Sequence, residues 1–173
     1  MVRSEQARNK DLIRFIVYNG IVAALYIVLT YFLAPISYGP LQARISEAMT
    51  VFPIFSFNMI PGLTIGCLVS NLINPDNLGP VDIIGGTLAT LIAGIFSRII
   101  GKKNMWLGII PPIVANGIIV GGYLPFLLFD TVTWQEVVLT MLSVAGGEAA
   151  VLVVLGLPLV AVIEKTGLKS KLP

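Results

Sequence analysis

The apolar residues of this chain fall into long runs. These are broken at Ala34-Pro35, at Asn74-Pro75-Asp76-Asn77-Leu78-Gly79-Pro80, at Gly101-Lys102-Lys103-Asn104 and at Asp130-Thr131-Val132-Thr133. A helix needs roughly 20 residues to cross a hydrocarbon layer of ~30 Å. Hydrophobicity and breakers together predict six helices, at about residues 12–34, 42–56, 58–74, 81–100, 105–129 and 134–163, with ends good to about 2–4 residues. Pro53, Asn58, Pro61 and Gly62 interrupt what would otherwise be one over-long span, so the pattern predicts a tight re-entry near 53–58.

Composition points the same way. The chain is 56% hydrophobic and 12% charged, against about a quarter charged in soluble domains, and its mean hydropathy is +0.92. The expectation is an all-α, polytopic integral membrane protein in which one bundle uses residues 1–173. Residues 1–11 and 165–173 then form polar segments at the two ends. The apolar run behind the N-terminal segment is too long for a signal-peptide core, so the first span is expected to stay.

Six spans place both termini on one side, and the basic residues choose which. Arg3, Arg8, Lys10 and Arg14 precede the first span, Arg98, Lys102 and Lys103 mark the fourth-to-fifth turn, and Lys165, Lys169 and Lys171 follow the last. All ten lie on the cytoplasmic side of such a topology, and Arg44 is the exception. Asp76, Asp82, Asp130 and Glu136 fall on the outer side, with Trp134 at the outer interface and Trp106 at the inner.

Several chemistries are excluded. The chain has no histidine and a single cysteine, Cys67, within an apolar run. His-based metal sites, Ser-His or Cys-His catalysis and an intrachain disulfide are therefore ruled out, leaving no metal, cofactor or enzyme activity to expect. No Gly-x-x-x-x-Gly-Lys-Ser/Thr loop is present, so an ATP-driven process would draw its ATPase from another chain. No internal repeat of the kind found in self-contained secondary transporters is visible either.

The informative residues are the polar ones inside apolar runs, since a charged side chain there costs roughly 2.5–3.5 kcal/mol on insertion scales and normally faces protein or water. Arg44, Glu47, Asn71, Asp82, Asn116 and Glu148 stand out, all in the outer half or at mid-depth of the six-span arrangement. Such one-sidedness indicates a polar pocket open to the exterior. Arg44 and Glu47, three residues apart, share a helical face and can form an ion pair or line that pocket together. Glu148 lies in Ala145-Gly146-Gly147-Glu148-Ala149-Ala150, whose small neighbours leave room for a flat ligand donating two hydrogen bonds.

Asn116 carries donor and acceptor together, suited to a mixed ring edge or to an interhelical bond. Asp82 either lines the pocket or caps its helix, and Asn71 is a pocket residue or an ordinary helix exit. Tyr38 and Tyr123 can stack on a ring or anchor at the interface. In the first helix, Gly20 and Ala24 have the small-xxx-small spacing that lets another helix approach closely.

Arg44-Ile45-Ser46-Glu47-Ala48, Gly62-Leu63-Thr64-Ile65-Gly66-Cys67 leading to Asn71, Asp82-Ile83-Ile84-Gly85-Gly86-Thr87-Leu88-Ala89-Thr90, Pro111-Pro112 with Asn116, and Gly147-Glu148 run in order from about residue 12 to 165. In combination they resemble the queuosine-precursor transporter (QueT) family, substrate-binding S components of energy-coupling factor (ECF) importers. The resemblance implies six helices in a bacterial cytoplasmic membrane, capture of a 7-deazaguanine from outside, and two kinds of protein partner: a transmembrane coupling protein and two cytoplasmic ATPases. It implies no nucleic-acid partner.

The ligand it implies is 7-aminomethyl-7-deazaguanine. Glu148 would then take a ring edge or the amine, Asn116 the mixed edge, Glu47 or Asp82 the remaining task, and Arg44 would orient Glu47 or meet the carbonyl. The segment 35–42, with Tyr38 and Gln42, resembles a lid loop. Gly20, Ala23 and Ala24 occupy positions suited to coupling-protein docking, Gly20 departing from an all-alanine pattern while keeping the surface small. The rival expectations are an S component for another vitamin or nucleobase, a stand-alone ion-coupled carrier using Glu47 and Glu148, and a membrane assembly factor.

Overall fold

The computed structural model describes residues 2–38, 43–76, 78–170 and 172, without the side chains of residues 2–4 and 7. Among them the secondary structure is entirely helical. We number the main segments α1 (Val2–Phe32), α2 (Ile45–Phe55), α3 (Phe57–Leu72), α4 (Gly79–Gly101), α5 (Met105–Leu128) and α6 (Trp134–Lys165). Arg8–Phe32 of α1, together with α4, α5 and α6, is long and apolar enough to cross a membrane, whereas α2 and α3 are shorter apolar helices.

Two boundaries differ from the sequence expectation. Helix α1 begins at Val2 rather than near residue 12, so the polar N-terminal segment is its first turns. Helix α2 is not a regular α-helix through 42–56: Ile45–Val51 is a tighter 3₁₀ helix that continues as one α-helical turn at Phe52–Phe55. The re-entry falls at Ser56, where the backbone is extended (φ −144°, ψ 125°) and the side chain accepts a hydrogen bond from the Asn58 amide. Thr133 caps α6 reciprocally with Glu136, satisfying two of the amides a helix start leaves open.

The bundle is built around α2. It contacts α1, α4, α5 and α6, and Ser46 through Val51 are all buried. Protein on every side lets this short segment carry charge, because neighbouring helices rather than lipid meet its polar groups. Three apolar clusters surround it. Val22, Tyr26, Met49, Met59, Leu63 and Cys67 join α1, α2 and α3, and Val51, Ile54, Ile109, Leu152 and Val160 join α2, α5 and α6. Ala89, Val120, Leu124 and Val144 join α4, α5 and α6.

The exterior is the reverse of a soluble protein's. Leu12, Ile13, Ile16, Val28, Ile84, Phe96, Leu139 and Val154 are exposed, while Asn19, Arg44, Glu47, Asp82 and Glu148 are buried. With hydrocarbon as solvent, exposed apolar side chains cost nothing and polar ones must find partners inside. Trp106 and Trp134 both sit exposed at the starts of their helices.

Helix α1 lies against α3 through glycines of α3. A Cβ on Gly62 would stand 2.7 Å from the Asn19 carbonyl oxygen and 2.9 Å from its Cα, and one on Gly66 would meet the Tyr26 Cβ at 2.8 Å. Asn19 fixes the crossing by accepting from the Gly62 amide at 2.6 Å and donating to the Asn58 carbonyl at 2.8 Å. Gly62→Ala is therefore expected to push α1 off α3 and destabilise the fold by about 1–3 kcal/mol, a cost typical of overpacking. Thermal unfolding of the detergent-solubilised protein would show it, and an unchanged midpoint would contradict this packing.

Candidate functional site

Arg44 precedes α2 with an extended ψ of 109°, which turns its side chain back into the bundle. The guanidinium Nε donates to the Ser37 carbonyl at 3.2 Å, and Nη1 lies 3.9 Å from the Cys67 sulfur. Its carbon sits 5.4 Å from the centre of the Tyr38 ring, a cation–π arrangement. Nη2 is buried with no protein partner. One turn on, Glu47 Oε1 accepts from the Tyr26 hydroxyl, while Oε2 has no protein partner.

Arg44 and Glu47, expected either to pair or to line a pocket together, do not form an ion pair at contact distance. Each side chain is held instead by residues distant in sequence: Arg44 by Ser37 and Tyr38, Glu47 by Tyr26. The two still face the same space. A small cavity of about 10 Å³, room for one water, is lined by Arg44, Glu47, Asn116, Val120, Val144 and Glu148.

Helices α5 and α6 bring Asn116 and Glu148 to that cavity. A Cβ on Gly117 would meet the Ala145 Cβ at 2.8 Å, and one on Gly121 would meet the Met141 Cα at 2.5 Å, so these glycines let the helices touch. Asn116 opens a π-helical turn, Asn116–Val120, whose extra residue widens the helix. Such turns recur at functional sites. Asn116 and Glu148 line the same cavity. Glu148 is 2% exposed and its Oε1 has no protein partner.

A second polar group adjoins the first through Cys67. The sulfur lies 3.7 Å from Asn71 Nδ2 as well as near Arg44, so this cysteine is part of the polar interior and not merely a core filler. Asn71 Nδ2 also donates to the Asp82 carbonyl at 3.2 Å, and the Tyr123 hydroxyl donates to Asp82 Oδ1 at 2.8 Å. Asp82 does not cap α4: Leu78 is the cap residue and makes no side-chain bond there. Asn71 stands at the exit of α3 with its side chain buried. Tyr123 is held inward by Asp82. Tyr38 is buried, its hydroxyl donating to the Ser70 carbonyl at 2.7 Å, so it is not an interface anchor.

The structure thus gathers Arg44, Glu47, Asn71, Asp82, Asn116, Glu148, Tyr38 and Tyr123 into one interior region drawn from five helices and the turn before α2. Gln42 lies outside the described residues with half of the proposed lid, residues 39–42. Gly20 and Ala24 face outward, but Ala23 is buried, packed toward Gly66 of α3, and so leaves the docking face. Tyr26 was missed because it sits inside an unbroken apolar run. Its signal was present: Asn19, Tyr26 and Thr30 recur at helical spacing on one face. Two larger grooves, each about 370 Å³, are almost wholly apolar and lie among outward-facing side chains such as Ile92, Phe96 and Ile118 or Phe57 and Ile65. They offer nothing to a polar ligand.

An all-helical membrane protein whose charged side chains converge on an enclosed interior is built to hold a polar solute away from lipid. The chain belongs to the QueT transporter family, whose model matches residues 16–165 and so takes in every described member of the cluster. Over 79 residues it is 44% identical to the queuosine precursor transporter QueT of Lactococcus lactis subsp. cremoris (strain MG1363). That alignment covers 44% of this chain and 45% of the relative, less than half its length. No solved structure matches the chain significantly.

Proposed function

We propose that the chain is the substrate-binding membrane subunit of an ATP-driven ECF-type importer, capturing a queuosine precursor, 7-aminomethyl-7-deazaguanine, from outside. The observation that carries this is the set of buried, unpartnered polar atoms in the interior: Glu47 Oε2 and Glu148 Oε1 as acceptors, Arg44 Nη2 as donor. A guanine-like edge is their complement. Its ring N–H and exocyclic amine suit carboxylates, its carbonyl suits a guanidinium, and Asn116 can serve the mixed positions. The name of the lactococcal relative supports the same ligand class.

The cavity is far below the ~300–1,000 Å³ of small-molecule pockets, so ligand entry must part the helices around α2. The chain is one membrane domain with six spans, α2 and α3 forming the shorter pair, and with both termini in the cytoplasm of a bacterium. A coupling protein and two ATPases supply the energy. No covalent chemistry is required, and the protein is not an enzyme.

Equilibrium binding to the purified protein tests this reading. We expect 7-aminomethyl-7-deazaguanine to bind at least about tenfold more tightly, or 1.4 kcal/mol, than guanine, riboflavin, thiamine or biotin. Absence of measurable deazaguanine binding would overturn it, and preference for one of the others would reassign the ligand.

A further inference from the structure

Three carboxylates, Glu47, Asp82 and Glu148, are buried in this interior with one guanidinium, that of Arg44. Two negative charges are left over, and inside a membrane protein they must be neutralised by protons or by a cation brought with the ligand. The surplus is not evenly placed. Glu47 and Glu148 line the cavity with Arg44, whereas Asp82 is absent from that lining and sits with Asn71 and Tyr123.

That second group has the form of an acceptor cradle. Asp82 is 1% and Asn71 3% exposed. The Tyr123 hydroxyl occupies Asp82 Oδ1, leaving Oδ2 without a protein partner. Asn71 spends its amide nitrogen on the Asp82 carbonyl and the Cys67 sulfur, so its own oxygen, also unpartnered, is the atom on offer. Gly86 lets Asn71 and Tyr123 close on α4, since a Cβ there would stand 2.6 Å from Asn71 Nδ2 and 3.5 Å from the Tyr123 hydroxyl. Two buried acceptors, one anionic, with no donor committed to them, match a primary ammonium, which has three donors and no acceptor.

We propose that Asp82 Oδ2 and Asn71 Oδ1 form a subsite for a cationic amine on the ligand, separate from the ring-recognising cavity and joined to it at Cys67. The assignment rests on the deazaguanine reading and sharpens it: of Glu47 and Asp82, Asp82 takes the amine. On binding, the ligand's ammonium replaces one of the two neutralising protons, and the second surplus carboxylate keeps its own.

The test compares 7-aminomethyl-7-deazaguanine with its neutral, near-isosteric 7-hydroxymethyl counterpart on wild type and Asp82→Asn. Wild type should favour the amine by about tenfold or more. In Asp82→Asn, which keeps an acceptor for Tyr123, the ratio should fall to about one while affinity for the hydroxymethyl compound stays within about threefold. Asn71→Leu should narrow the ratio as well, and it serves as the test where Asp82→Asn fails to fold. A wild type that binds both compounds equally, or variants that keep the wild-type ratio, would overturn the amine subsite while leaving ring recognition standing. Binding of neither compound to wild type would remove the deazaguanine reading itself.

Discussion

Glu148→Ala is expected to weaken 7-aminomethyl-7-deazaguanine binding by about 100-fold or more. The carboxylate stands in the cavity with Oε1 unpartnered and Asn116 beside it, so a ligand edge donating twice would gain two charge-assisted bonds. Each is worth about 1.5–3 kcal/mol, and losing even the lower value twice is roughly 3 kcal/mol, about two decades in Kd. Folding should survive, because the substitution removes a buried, incompletely partnered carboxyl group instead of creating one. Titration calorimetry gives the affinity, and a melting curve of the ligand-free variant gives the control. Asn116→Ala removes a neutral group and should cost about tenfold. Unchanged affinity in Glu148→Ala would take the ring edge away from this cavity.

The prominence of Glu148 was legible from its neighbours, though not for the reason the sequence offered. Gly146 faces outward, with nothing within 4 Å of a Cβ built there, and does not line the cavity beside the carboxylate. The space comes from α2 and from the π-helical turn at Asn116, neither of which periodicity reveals, since a one-residue phase shift leaves no mark in a run that is apolar on nearly every face. Helices α4, α5 and α6 were read nearly to their ends because Pro, Gly and charged turns bound each run. Helix α2 was harder: a short 3₁₀ segment enclosed by other helices carries charge without a spanning pattern.

The pairing of Arg44 was beyond reach for a related reason. On an isolated helix the nearest opposite charge is three residues away, but the fold supplies Ser37, Tyr38 and Cys67 to one side chain and Tyr26 to the other. Long-range partners displaced the local one. Glycine spacing was informative in the same qualified way. The sequence pointed to Gly20 and Ala24 as a close-approach surface, whereas the close crossings within the chain use Gly62 and Gly66, and Gly117 and Gly121.

That leaves the outward face of α1 without a partner inside this chain, and the second large effect is expected there. A Cβ on Gly20 would meet nothing within 4 Å, and Ala24 is exposed beside Ile13, Ile16, Val17, Ile21 and Val28. In lipid, helices associate by close packing and not by expulsion of water, so a strip of small residues matters by letting backbones approach. Gly20→Trp or Ala24→Trp should therefore leave deazaguanine affinity within about twofold while reducing ATP-dependent uptake at least about tenfold in liposomes carrying the coupling protein and ATPases. Ala23→Trp should fail differently, by unfolding, because Ala23 packs toward α3. Leu142→Trp, on the exposed side of α6, should change neither quantity. The chain alone should accumulate no ligand under an ion gradient; accumulation there would make it a self-sufficient carrier. Uptake undiminished by tryptophan at both small positions would mean that the partner docks on another face, because the cavity and the outer surface of α1 are separated by the buried Asn19–Tyr26–Thr30 side of that helix.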